Sequence, residues 1–404
     1  MSSSTTILGG GIGGFTLAQE LRKLGYEGAV TIIDEHGLPY DRPPLSKEIL
    51  SGTKAPEEIQ FVPESWYSEN QVKVLQAKVE RIDAAARTLL LDNGEEHTYD
   101  NLVLATGGHA RRGDTPGFND DSVIVLRTLA DAQRLSENLV AGRTLGIIGA
   151  GLIGAEVASV ARERGAEVIL VDPAPVSLIP AVGEEIAQRL HDLHDAHGVH
   201  FINGLTSAIR REGEKYLLEI DGQDETVEVD AVLLCIGLVP EESLAASAGL
   251  ERDGGVLVDA EQRTSAPGIW AVGDCARRRN ADGSLERRHE HWESAMQEAK
   301  TAAASITGSP APVGGASWFW SDRYGVHLEG IGSMTAVGST VIRPDEAGHP
   351  AVAFRVTPEG KLAGAASYND SMAVRAARRI IDRELDVDPA KLADPTIPLK
   401  KLTR

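Results

Sequence analysis

Short apolar runs separated by amphipathic stretches set the rhythm of the chain. Thr6-Ile7-Leu8 runs into GGGIGG, Leu17, Leu21 and Leu24 then recur at helical spacing, and Ala29–Ile33 resumes a β-type run. The same module returns about 140 residues later. Leu145–Ile148 runs into GAGLIG, a helical stretch follows through Val157, Val160 and Ala161, and Val168–Val171 closes it. Strands alternating with helices predict a parallel α/β architecture, here with an internal duplication. Three later strand-like runs end in tight turns: NLVLATGG (101–108), DAVLLCIG (230–237) and GIWAVGDCA (268–276). The Gly/Pro/Ser-rich stretch GSPAPVGGAS (308–317) reads as a linker. Beyond it, 318–368 shows β-type alternation and a helix is expected near 372–385, which predicts a separate C-terminal α+β domain.

Charge and composition narrow the partners. Of 404 residues 42% are hydrophobic and 25% charged, as in an ordinary globular protein, and the length suggests two or three domains. A net charge of −20 disfavours nucleic acid and anionic membrane as general partners. The chain has no apolar run long enough for a bilayer span, and MSSSTTILGG lacks the features of a secretory signal. Cys235 and Cys275 stand in no metal-binding or redox-pair spacing. A reducing, cytoplasmic setting is expected.

Each module carries G-x-G-x-x-G: Gly9, Gly11 and Gly14 (with Gly13 in the same turn), then Gly149, Gly151 and Gly154. The first glycine allows the tight turn, the second lets a pyrophosphate approach the backbone, and the third lets helix and strand pack closely. An acid follows each motif by about 20 residues, Asp34 (with Glu35 beside it) and Asp172, placed for a ribose. Two complete copies predict two bound dinucleotides. An acid at Asp172, with no arginine before Arg189, favours NAD over NADP. Two dinucleotides in one chain suggest a flavin and a nicotinamide. Asp274, in the Gly-Asp turn, is a candidate for the ribityl hydroxyls, with a helix-capping role as the alternative.

The string YDRPPLSKEIL (40–50) holds two prolines between Arg42 and Lys47. Arg42-Pro43-Pro44 is expected to be stiff and extended, and Ser46 to cap a helix starting near Lys47. With RPPLSK, LVLATG, LRTLADA (126–132), GLIGAEVA, VGD, HWESAMQEA and WFWSD, the chain resembles the FAD-dependent, NADH-linked ferredoxin reductases of bacterial oxygenase systems over nearly its whole length. That resemblance implies two Rossmann-like dinucleotide-binding domains in a glutathione-reductase-like arrangement plus the C-terminal α+β domain. The expected boundaries are 1–111 with 236–310 for FAD, 112–235 for NAD, and 311–404 for the last domain. It further implies FAD contacts at Arg42, Lys47, Val79, Arg127, Asp274 and Trp292, with Gly237 also a candidate. The family's acid after the second strand falls on Asp34 or Glu35. Glu156 matches an acid near the nicotinamide and Trp320 an aromatic near the flavin ring, so Lys47, Glu156 and Trp320 form the catalytic set. Relatives often carry arginines just beyond the Asp172 position, where this chain has Val176 and Pro180.

The implied activity is NADH:ferredoxin oxidoreduction. A hydride passes to FAD, and single electrons pass to a [2Fe-2S] ferredoxin that feeds a Rieske dioxygenase or a cytochrome P450. Related flavoproteins that reduce disulfides or peroxides need a cysteine against the flavin, and 40–50 holds none. The arginines of RRRNADGSLERR (277–288), namely Arg277, Arg278, Arg279, Arg287 and Arg288, are a candidate docking face for the ferredoxin, with ion pairing to nearby acids as the alternative. His191, His194 and His197 are expected to be a solvated helix face, and no metal site is inferred. The alternative activities are a diaphorase or oxidase passing electrons to quinone or oxygen, and a redox-signalling flavoprotein akin to apoptosis-inducing factor.

Overall fold

The computed structural model describes residues 3–403. Two compact units emerge. One takes the chain up to Arg42 together with Pro56–His109 and Leu238–Gly314, and the other takes Pro43–Ala55, Ala110–Gly237 and the chain from Gly315 on.

The first unit is built on a five-stranded parallel sheet ordered Ile269–Ala271, Asn101–Leu104, Thr5–Leu8, Val30–Asp34, Val72–Gln76. Both faces of a covered parallel sheet must be apolar, and consecutive residues serve opposite sides. Ile7, Ile32 and Val103 pack with Leu17 and Leu21 of the helix Ile12–Lys23 and with Ala299, Ala302 and Ala303 of the helix Trp292–Thr307. Leu8, Ile33 and Leu104 face the other way, onto Leu89 and Leu91 of the meander Val79–Asp83, Thr88–Leu91, Glu96–Thr98.

The second unit repeats the plan. Its parallel sheet runs Ile124–Val125, Ala231–Leu234, Thr144–Ile148, Glu167–Asp172, Val199–Asn203, again with an antiparallel meander, Thr206–Glu212, Lys215–Ile220, Val227–Val229. The duplication read from the glycine motifs therefore extends to whole sheets and their meanders. In each the outermost strand comes from a remote part of the chain.

The C-terminal segment forms a five-stranded antiparallel sheet ordered Trp318–Arg323, Val326–Gly332, Leu362–Tyr368, Pro350–Val356, Ser339–Pro344. The helix Ser371–Asp382 covers one face over Phe354, Ile331 and Val352, capped by Asp370 accepting from the Ala373 N–H at 2.9 Å. The other face takes Ile186, Ala187 and Leu190 of the helix Glu184–Ala196 against Leu328, Ala353 and Ala366. That burial makes the C-terminal sheet part of the same compact unit as 110–237. Among the described residues no helix is long and apolar enough to cross a membrane.

Two local expectations fail. Pro43–Ser46 forms a 3₁₀ turn rather than an extended segment, because the fixed proline φ suits that turn as well as polyproline geometry. The histidine face is only partly solvated: His197 is exposed, but His194 is buried, bonds Tyr324 Oη through Nδ1 at 2.9 Å, and is held far below the usual imidazole range, at about 3, chiefly by burial. His191 sits edge-on to Phe201 and His197 stacks on Tyr324.

Beneath the Gly-Asp turn, Glu298 accepts the Gly273 N–H at 2.6 Å, and burial pushes its carboxyl up to about 8. A carboxyl raised in this way stabilises fully below its unfolded value near 4.5 and loses that contribution as pH climbs to about 8. Thermal melts across pH 4.5–9 should show stability falling through this window, by a few kcal/mol at most. Glu298→Gln, which keeps the acceptor, should remove that slope; an unchanged slope would mean another group carries it.

Candidate functional site

The first glycine turn joins the strand Thr5–Leu8 to the helix Ile12–Lys23. Gly9 adopts φ +105°, and a Cβ at Gly14 would meet the Gly9 carbonyl at 2.0 Å, so both positions require glycine. A Cβ at Gly11 would meet nothing within 4 Å, which leaves the turn open at the helix N-terminus. Asp34 locks the turn from the adjacent strand, with Oδ2 accepting the Gly10 N–H at 2.5 Å and Oδ1 the His36 N–H at 2.7 Å.

The second turn reproduces this atom for atom. Gly149 has φ +103°, a Cβ at Gly154 would meet the Gly149 carbonyl at 2.0 Å, and Gly151 is open. Asp172 accepts the Ala150 N–H at 2.7 Å and the Ala174 N–H at 2.8 Å. The strand register makes the equivalence strict, since Gly9 N donates to Ile33 O and Gly149 N to Val171 O. Asp34, one residue on, therefore answers to Asp172. Glu35 turns to the exposed side, 3.6 Å from His36. Open N–H groups at a helix N-terminus beside a fixed carboxylate fit a pyrophosphate and its ribose.

A third arrangement lies within the second unit. Glu156, in the helix Leu152–Glu163, is 4% exposed and collects donors from two separated segments. Its Oε2 accepts Ser46 Oγ at 2.5 Å and Lys47 Nζ at 3.1 Å. Its Oε1 accepts Ser321 Oγ at 2.6 Å and the Asp322 N–H at 3.3 Å. Trp320 lies against the same ion pair, with Lys47 Nζ 5.8 Å from its ring centroid, and it stacks on Trp318 at 4.9 Å. Lys47, Glu156 and Trp320 are thus brought together. Ser46 caps no helix; Lys47 takes the N-cap position of Glu48–Ser51 and the Ser46 hydroxyl turns to Glu156. Ser46 and Ser321 were invisible to spacing arguments because they lie 110 and 165 residues from Glu156.

The remaining candidates are dispersed. Arg42 falls in the first unit and Lys47 in the second. Trp292 begins its helix and donates Nε1–H to Asp41 Oδ1 at 2.9 Å. Asp274 lies in the 3₁₀ turn Gly273–Cys275, which a strand follows, so it caps no helix; its carbonyl accepts Arg288 at 2.7 Å. Val79 opens a meander strand, and Arg127 precedes the capping box of Thr128 and Asp131. Gly13 packs on Val272, and Gly237 has φ +106° at the end of its strand run. The arginine segment is extensively paired: Arg277 with Asp253 (3.3 Å), Arg278 with Glu286 (3.6 Å), Arg279 with Glu251 (2.6 Å) and Arg288 with Glu290 (2.7 Å). Such pairing reduces its value for long-range steering. Neither thiol is activated. Burial and the Glu156 carboxylate push Cys235 up to about 12, and burial raises Cys275.

Residues 3–299 match the model of the pyridine nucleotide-disulphide oxidoreductases, and 318–403 match the reductase C-terminal domain. The chain belongs to this oxidoreductase family. It is 35% identical over 400 residues to the ferredoxin–NAD(+) reductase component of the p-cumate 2,3-dioxygenase system of Pseudomonas putida, covering 98% of both chains. It is 36% identical to the corresponding anthranilate 1,2-dioxygenase component of Burkholderia cepacia, again over 98% of each. Among solved structures, the ferredoxin reductase for the CYP199A2 system of Rhodopseudomonas palustris superposes with TM-score 0.93, at 34% identity over the full length of both chains. Putidaredoxin reductase, in its covalent complex with putidaredoxin, gives 0.91 at 29% identity over 99% of this chain and 98% of that one. As in the rest of this family of reductases, the cofactors are FAD and NAD(H).

A hydroxyl bonded to a buried carboxylate is worth roughly 1.5–3 kcal/mol. Ser46→Ala should cost about that much in chemical denaturation, whereas removal of a turn hydroxyl alone would cost under ~0.5 kcal/mol. A loss at the lower figure would return Ser46 to a local turn role.

Proposed function

We propose that the protein is an NADH:ferredoxin oxidoreductase that supplies electrons to an oxygenase through a [2Fe-2S] ferredoxin. The observation that carries this reading is full-length likeness to ferredoxin–NAD(+) reductase components, combined with the absence of an activated thiol. When bound, FAD would supply the chemistry that links a two-electron hydride donor to a one-electron acceptor, the proton going to solvent. The protein's own part is binding and electrostatics. The turns at Gly9 and Gly149 present backbone N–H groups to pyrophosphates, and Asp34 and Asp172 take the riboses. Lys47 places a cation beside the flavin, where negative charge accumulates on reduction, and Glu156 faces the nicotinamide. Two free cysteines support a cytoplasmic setting.

NADH is the preferred donor. Asp172 would repel a 2′-phosphate, and Arg189 is committed elsewhere, to Pro350 O at 2.9 Å, to Asp345 at 3.1 Å and over the Tyr368 ring at 3.9 Å. Val176 and Leu178, beyond Asp172, are packed into an apolar cluster. We expect kcat/KM for NADH to exceed that for NADPH by at least ~100-fold, about 2.7 kcal/mol, with Asp172→Asn narrowing the gap; equal use of both donors would refute the assignment.

The deciding experiment is NADH-driven cytochrome c reduction with and without added [2Fe-2S] ferredoxin. Ferredoxin should raise the rate at least ~10-fold; no acceleration would favour a diaphorase or oxidase, and flavin reduction over minutes would favour a signalling flavoprotein. The double variant Cys235→Ala/Cys275→Ala should keep this ferredoxin-dependent rate within about a factor of three. Its collapse in a folded, FAD-loaded protein would bring a thiol back into the electron path.

A further inference from the structure

Arg323 is 2% exposed, in the last position of the strand Trp318–Arg323. A guanidinium out of water needs compensating charge and acceptors for its N–H groups. Its Nη2 donates to Ser321 Oγ at 3.0 Å, while Nε meets no acceptor among the described residues. A hydroxyl has a single proton. Ser321 therefore accepts from Arg323 and spends its own proton on Glu156 Oε1, at 2.6 Å. Ser321 and Arg323 share one face of their strand, as period two requires, and that face is the buried one. Tyr324 fixes the end of the strand by donating its N–H to Ser159 Oγ, on the Glu156 helix, at 2.7 Å.

Glu156 thus has cations on both sides. Lys47 holds Oε2 directly from a side chain 16% exposed, and Arg323 reaches Oε1 through one hydroxyl from full burial. We propose that Arg323 is a positioning residue, a buried second counter-ion that acts through Ser321 to hold and aim the Glu156 carboxylate whether or not Lys47 is engaged with it. This rests on Glu156 serving the nicotinamide side. The charged and titratable groups around the carboxylate are Lys47, Arg323, Asp322, Tyr324 and the Cys235 thiol.

The test compares Arg323→Gln and Arg323→Lys, each in the native background and with Glu156→Gln, as holoenzymes. In the native background Arg323→Gln should lower the Tm by several degrees. With Glu156→Gln, where the guanidinium is left without its counter-charge, the same change should leave the Tm unaltered or raise it. An equal loss in both backgrounds would make Arg323 a packing residue and overturn the proposal. This cycle needs neither NADH nor ferredoxin, so it stands apart from the test of the activity itself. In stopped-flow reduction by NADH, Arg323→Gln should raise the apparent Kd for NADH at least ~5-fold and Arg323→Lys should restore it; an unmoved Kd in Arg323→Gln would also overturn the proposal. Should Arg323→Gln not fold, Ser321→Ala cuts the same relay and must raise the same Kd.

Discussion

The burial of one carboxylate organises the second compact unit. Stripping Glu156 of water would cost several kcal/mol if nothing replaced the lost solvation. The replacements come from the proline-rich loop, as Ser46 and Lys47, and from the first strand of the C-terminal sheet, as Ser321 and the Asp322 N–H. Neither segment is near Glu156 in sequence. Satisfying that single group therefore ties three remote stretches into one unit, and it explains why RPPLSK and WFWSD are both so distinctive. Each string carries half of the donor set.

The two glycine turns impose a different economy. In both, a carboxylate at the end of the second strand is bonded to the N–H inside the glycine turn, so the acid and the turn hold one another before any ligand arrives. Pre-ordering of this kind lowers the entropy lost on binding. The register that Asp172 has in one copy belongs in the other to Asp34 and not to Glu35.

Periodic features of the fold were legible from the chain alone. The paired strand–turn–helix modules, the linker and the C-terminal β-rich domain all follow from apolar spacing and from glycines whose φ or close contacts admit nothing else. Pairwise features were not. The histidine face looked solvated because a helix shows its own period but not its neighbour, and the covering hairpin of Tyr324 lies some 130 residues away. Ser46 looked like a helix cap because capping is the local use of a serine before a helix. Its actual partner is 110 residues distant. Arg323 carried no signal at all, since an arginine after an aspartate reads as surface charge.

The same network bears on what chemistry the protein leaves out. A thiol route from a reduced flavin requires a stabilised thiolate, and Cys235 has the opposite surroundings: apolar burial and the negative charge of Glu156. The buried Glu156 carboxylate is thus itself a reason why the nearby sulfur stays protonated. In the loop from Tyr40 to Leu50, the polar side chains turned towards that carboxylate are Ser46 and Lys47, a hydroxyl and an ammonium with no redox chemistry of their own. Without a thiol route, electrons arriving in pairs leave directly for an external acceptor, an arrangement that suits a ferredoxin partner.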